Sequence, residues 1–264
     1  MRRLTLLTAL GASLAAAAPA FAADLTPRLP EPPAIGPAIA ELGSGWYIRG
    51  DLGYSDFEKP GDKPYSTVAV VPFDKERLKG TGAAGGGIGY KFTNWLRADV
   101  TADYRLGSDF DALSSKTRYV EGYSRDTAKM QASTLLFNAY FDLGTWYGVT
   151  PYVGAGVGVA QNRFYGYAAQ VTCITPTCGD TSGATYPLGP QPKSLVPSGT
   201  RTNLAWALTA GASMQVLPGV LVDAGYRFVN LGEARTKLDQ FGVGTRTTDL
   251  HAHEIRVGVR YMID

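Results

Sequence analysis

Along most of this chain apolar and polar residues alternate with a period of two, which predicts strands with one apolar and one wet face. The clearest case is roughly 95–106, where Leu96, Ala98, Val100, Ala102 and Tyr104 alternate with Arg97, Asp99, Thr101, Asp103 and Arg105. The pattern opens with Trp46, Ile48, Leu52 and Tyr54 against Tyr47, Arg49, Asp51 and Ser55. It recurs over roughly 80–92, 129–144, 151–164, 202–216, 220–232 and 252–263. Eight such segments, an even number, suit a closed antiparallel barrel. Their connections alternate strictly. Thr93-Asn94, Thr145 to Thr150 and Leu217-Pro218-Gly219 are short, whereas about 58–79, 107–127, 165–200 and 233–250 are long and polar. The expected fold is all-β: an eight-stranded antiparallel up-and-down transmembrane β-barrel, with periplasmic turns, extracellular loops and both chain ends on the periplasmic side.

The wet face decides between this barrel and a soluble one. It carries Arg49, Asp51, Lys91, Arg97, Asp99, Asp103, Arg105, Asp142, Asp223, Arg227, Glu254, Arg256 and Arg260. It also carries Gly85, Gly87, Gly89, Gly154, Gly156 and Gly158, which would weaken solvated strands for no reason but leave room for long side chains inside a narrow lumen. Opposite charges confined there are expected to pair, because an unpaired buried charge is costly. The lumen is therefore expected to be plugged or very narrow. Trp46, Trp95, Trp146, Tyr147 and Tyr261 all map to the short-turn rim as an interfacial aromatic girdle, with Tyr54, Tyr104 and Phe228 toward the other rim. Trp206 fits neither belt.

The start of the chain reads as an address. Met1-Arg2-Arg3, an apolar run from Leu4 to Ala18, and Ala20-Phe21-Ala22 form a secretory signal peptide over residues 1–22. Residues 23–44, with Pro27, Pro30, Pro32, Pro33 and Pro37, follow as an extended periplasmic leader, and the barrel occupies 45–264. Losing Arg2 and Arg3 reduces the 25 basic residues to 23, against 23 acidic ones. That balance and the export signal exclude nucleic acid as a partner. Export also suits a local disulfide between Cys173 and Cys178 in Cys-Ile-Thr-Pro-Thr-Cys, since no further zinc ligands lie near.

Gly45-Trp46-Tyr47-Ile48-Arg49-Gly50-Asp51-Leu52-Gly53-Tyr54, Gly86-Gly87-Ile88-Gly89-Tyr90, Asn138-Ala139-Tyr140-Phe141-Asp142-Leu143, the run Thr150 to Gly158 and the ending His253 to Tyr261 resemble the small outer-membrane β-barrel proteins of alphaproteobacteria, often labelled porin-like. The resemblance spans nearly all of the mature chain. It implies an abundant envelope barrel with surface-exposed loops and, in some members, a porin or ligand-binding role; it supplies no catalytic residues. Such barrels commonly end on an aromatic residue read by the barrel assembly machinery, whereas this chain ends Tyr261-Met262-Ile263-Asp264, with Tyr261 three positions in.

Remaining motifs read blandly. Gly80-Thr81-Gly82-Ala83-Ala84-Gly85 matches a dinucleotide-binding pattern but runs into a strand instead of a helix. His251 and His253 share one strand face near the extracellular rim, where a solvated role is expected in place of a metal or haem contact. A lipid-modifying enzyme needs a nucleophile beside a His at the lipid edge, but Ser213 lies at the opposite end from both histidines, and Ser114, Ser115 and Ser124 have no local His. The mixed charges Arg118, Glu121, Arg125, Asp126 and Lys129 suit solvation or contact with lipopolysaccharide phosphates. The sequence thus predicts a non-enzymatic outer-membrane protein without metal or cofactor. Its expected role is structural and interfacial, toward outer-membrane lipid and lipopolysaccharide and an unidentified extracellular ligand of the loops. The alternatives are a narrow channel for ions or small solutes and, more distantly, a lipid-modifying enzyme.

Overall fold

The computed structural model describes residues 45–58, 61–66, 73–114, 121–176, 178–179, 185–238 and 243–263. The signal peptide, the proline-rich leader, Arg118 and Asp264 lie outside the described residues. Eight long strands close a ring: β1 (Gly45–Phe57), β4 (Thr81–Lys91), β5 (Leu96–Ser114), β6 (Gly122–Asp142), β7 (Val149–Cys173), β10 (Gly199–Leu217), β11 (Val220–Arg235) and β12 (Val243–Ile263). Every neighbour is antiparallel, and β1 pairs with β12 from Trp46↔Ile263 to Phe57↔Ala252 to shut the barrel. Four short strands extend the wall. β2 (Gly61–Ser66) lies along β12, β3 (Lys75–Leu78) along β5, and β8 (Gly189–Pro190) and β9 (Ser194–Val196) along β7.

The short connections are gathered at one end, the turn end, and the long ones at the other, the loop end. The long connections differ from their expected form. Polar composition suggested loops over about 107–127 and 165–200, yet β5 and β6 stay paired out to Ser114↔Ser124, and β6 and β7 out to Gly122↔Cys173. A strand needs only about ten residues to cross a bilayer, whereas β7 has 25. The wall therefore stands well clear of the hydrocarbon at the loop end.

The outer surface marks where the hydrocarbon lies. Ile48, Leu52, Ile88, Phe137, Val157, Leu208, Ile255 and Val257 all point outward and are exposed, forming a continuous apolar belt of a kind that soluble monomers avoid. Toward the loop end the same outward positions turn polar, from Tyr54 to Asp56, Leu135 to Ser133, Val159 to Gln161, Leu204 to Thr202 and Ile255 to His253. At the turn end Trp46 packs edge-on against Tyr90 at 5.2 Å and Trp95 stacks on Phe141 at 5.8 Å. Trp146, Tyr147 and Tyr261 are exposed at the same rim. Trp206 also has a place: it faces outward, 5.5 Å from Phe228, near the loop-end edge of the belt.

Inside, the barrel has two layers. The turn-end half is polar and charged. The loop-end half is an apolar core built on Phe57, Phe110, Met130, Phe164, Leu231 and Leu250. The charged lumen expected from the sequence is thus only half of the interior.

Candidate functional site

Alternation sets which side chains enter the lumen, and antiparallel pairing brings them to the same height. Arg49 on β1 grips Asp51 through Nε and Nη2 at 2.9 and 2.6 Å and reaches Asp99 Oδ2 on β5 through Nη1 at 3.1 Å. Asp99 also accepts from Asn138 Nδ2 at 2.8 Å and from the Tyr47 hydroxyl at 3.1 Å. Arg105 donates to Glu254 at 2.7 Å, with Ser55 on the same oxygen. Asp103 receives Arg227 at 2.8 Å on one oxygen and Arg256 on the other. Arg260 meets Asp223 at 3.3 Å. Arg97 donates to Asp142 at 3.0 Å, and its guanidinium lies 4.1 Å from the Tyr140 ring centre and 4.6 Å from that of Tyr152. Those ring faces take the place of the hydrogen bonds that its two terminal nitrogens do not make.

The six arginines and six carboxylates are all buried or nearly so and all joined in ion pairs, some along the wall, as Arg97–Asp142, and some across the lumen, as Arg105–Glu254 and Arg227–Asp103. The glycines supply the space. A Cβ on Gly85 would sit 2.0 Å from Asp103 Oδ1, and one on Gly156 would sit 2.1 Å from Asn138 Oδ1. Lys91 lines a turn-end vestibule of about 190 Å³ with Trp95, Asp142, Ser213 and Arg260. Farther in, a space of about 10 Å³ between Asp51, Arg227 and Arg256 has room for one water at most.

The apolar core above this network is the feature that sequence reasoning missed. Phe110 packs edge-on against Phe164 at 5.7 Å and Phe73 at 6.3 Å. Within it the Tyr167 hydroxyl joins β6 to β12, donating to Asp126 and lying 2.7 Å from the Thr245 hydroxyl. Around it the outer wall is polar, with Lys79 and Lys129 both near Asp109, and Arg125 on Asp111 at 2.6 Å. Cys173 and Cys178 form a disulfide at the far tip of β7.

His251 and His253 face outward, not into open solvent alone, and Glu58 bridges them. His253 Nε2 donates to Glu58 Oε1 at 2.8 Å, which leaves Nδ1 to accept from the Tyr226 hydroxyl. His251 Nδ1 lies 3.4 Å from Glu58 Oε2, and its Nε2 accepts from Asn230 at 2.8 Å. The imidazole contacts hold the Glu58 carboxyl below its ordinary pKa, the hydrogen bond from His253 being the main cause. Ser213 lies at the turn end, hydrogen-bonded to the Thr150 carbonyl, remote from both histidines.

The chain is similar to several known proteins. A relative from Brucella abortus (strain 2308), an uncharacterized protein, is 31% identical over 283 residues, covering 92% of each chain. A "Putative adhesin" of Rickettsia bellii (strain OSU 85-389) is 28% identical over 233 residues, covering 85% of this chain and 91% of its own. The solved structure of the outer membrane protein OprG from Pseudomonas aeruginosa aligns over 84% of this chain and 98% of its own, at 12% identity and a TM-score of 0.47. The model of the outer membrane protein beta-barrel domain matches residues 5–262. The chain belongs to that outer-membrane β-barrel family.

Proposed function

We infer that this protein is a non-enzymatic barrel whose work is done at its loop end, as a rigid platform presented to the outside and as a brace in the envelope. The observation that carries this reading is the filled interior. A complete set of ion pairs occupies the turn-end half, and an apolar core fills the half above it. Eight strands leave only enough room for side chains, and here side chains take it. The narrow-channel alternative requires a water path through both layers. The vestibule supplies one only as far as Asp142 and Arg260.

In this reading the chain ends and short turns face the periplasm, and Tyr261 presents the aromatic signal for the barrel assembly machinery. The paired, bulged extensions of β5, β6 and β7 display a fixed surface, which suits attachment better than mobile loops, because binding then costs little ordering entropy. The adhesin name carried by the Rickettsia relative fits such a surface. Planar-bilayer recording tests the reading, using refolded protein whose heat-shifted gel mobility verifies the barrel. Silence is the expected outcome, with conductance steps appearing only when Arg97→Ala and Phe110→Ala are combined, since each layer closes the lumen by itself. Discrete steps from the unaltered protein would overturn it in favour of the channel.

A further inference from the structure

The outer wall of β10 to β12 carries a ledge of rings with polar groups along one edge. Trp206, Phe228, His251 and His253 form a contiguous outward group. Phe228 lies 5.5 Å from Trp206 and 5.3 Å from each imidazole, nearly parallel to His251 at 26°. Tyr226 continues the group, 5.9 Å from His253. Trp206 and Tyr226 are 40% and 44% exposed, so their faces are open to the surroundings. Along the rim stand the Glu58 carboxylate, about half exposed, and Asn230.

An aromatic girdle alone would present rings to acyl chains and interfacial water. This ledge adds fixed hydrogen-bonding groups at a defined height, where the outward series on β12 passes from Ile255 to His253 and on β1 from Tyr54 to Asp56. That is the level of lipid headgroups. We propose that the ledge binds the sugar headgroup of an outer-leaflet glycolipid, its C–H face against the ring group whose exposed members are Trp206 and Tyr226 and its hydroxyls on Glu58 and Asn230. Electrostatics select sugar over phosphate. Asp56 lies directly opposite His253, and with Glu58 it places two carboxylates beside the ledge, which repel an anionic headgroup and attract hydroxyl donors. This inference rests on the surface reading above and names one partner for it.

The test is lipid retention by native mass spectrometry of the refolded barrel, offered digalactosyl diacylglycerol, phosphatidylglycerol or phosphatidylcholine. The digalactosyl lipid carries sugar without phosphate and separates the two chemistries. It is expected to be retained about tenfold over phosphatidylglycerol, a gap of about 1.4 kcal/mol. Combined Phe228→Ala and His251→Ala should abolish the preference, and Glu58→Gln should reduce it about threefold. Both histidines and Glu58 lie outside the core, so heat-shifted mobility should persist in Glu58→Gln even if the ring variant folds poorly. Equal retention of phosphatidylglycerol, or a preference unchanged in both variants, would overturn the proposal. Neither result touches conductance, so the platform reading stands or falls separately.

Discussion

The two halves of the barrel interior solve the same packing problem with opposite chemistry. In the turn-end half the wall is apolar outside and charged inside; in the loop-end half it is polar outside and apolar inside. One continuous set of strands runs through both. What changes is the surrounding solvent: lipid requires the first arrangement and water the second. The comparison teaches that strand pairing is indifferent to which face is wet, and that the environment selects the sign of the alternation.

The sharpest way to break the symmetry of this comparison is to delete one residue from each half. Asp103 accepts two arginines, and Asp103→Ala strands Arg227 inside the wall and leaves Arg256 only its longer contacts to Glu254 and Asp51. A loss of about 3–5 kcal/mol is expected, read from urea unfolding in lipid vesicles. Exchanging the partners of the neighbouring pair, Arg105→Glu with Glu254→Arg, should recover only part of what either single change costs, since Glu254 also lies 3.7 Å from Arg256, which an arginine at 254 would face. In the loop-end half, Phe110→Ala removes a fully buried ring from the apolar core. It should cost about 3 kcal/mol while leaving bilayer recordings silent, because the ion-pair layer still closes the lumen. If Phe110→Ala alone conducted, the apolar half would be the true seal.

The smallest effect concerns the outer wall. The folded-state pKa of the Glu58 carboxyl is depressed, so its contribution to stability is present above the unfolded value of about 4.3 and disappears as pH falls through the lower folded value. The unfolding midpoints of Glu58→Gln and the parent should therefore differ above the unfolded carboxyl value and converge as pH falls below the depressed folded one. A difference that did not shrink in acid would mean that Glu58 acts by packing instead of by charge.

The ring, the register and the inward charges were legible because lipid enforces a strict period of two. Arg97, Asp99, Asp103 and Arg105 all sit on odd positions of one strand, and their apolar neighbours on even ones. The apolar core was not legible because bulges break that period. Between Arg105 and Ser108 the pairing slips, so that Phe110 and Ala112 on even positions now point inward. A similar slip between Thr127 and Lys129 on the β6–β7 ladder falls where β7 changes from Phe164 to Tyr167 as its inward residue. Read across such a slip, a strand loses its alternation and resembles a polar loop. The histidine ledge was hidden for a different reason: Glu58 and His253 are 195 positions apart, and only closure of β1 on β12 unites them.

The polar collar also fixes the molecule's place once it is made. Lys79, Arg125 and Lys129 project from the outside of the loop-end wall with their carboxylate partners. Drawing that collar back through hydrocarbon would cost about 2–4 kcal/mol for each basic residue. Three of them amount to a barrier of roughly 10 kcal/mol on the same scale. The collar is thus a barb: it resists being drawn through hydrocarbon and holds the finished barrel at one depth without any bond to a neighbour.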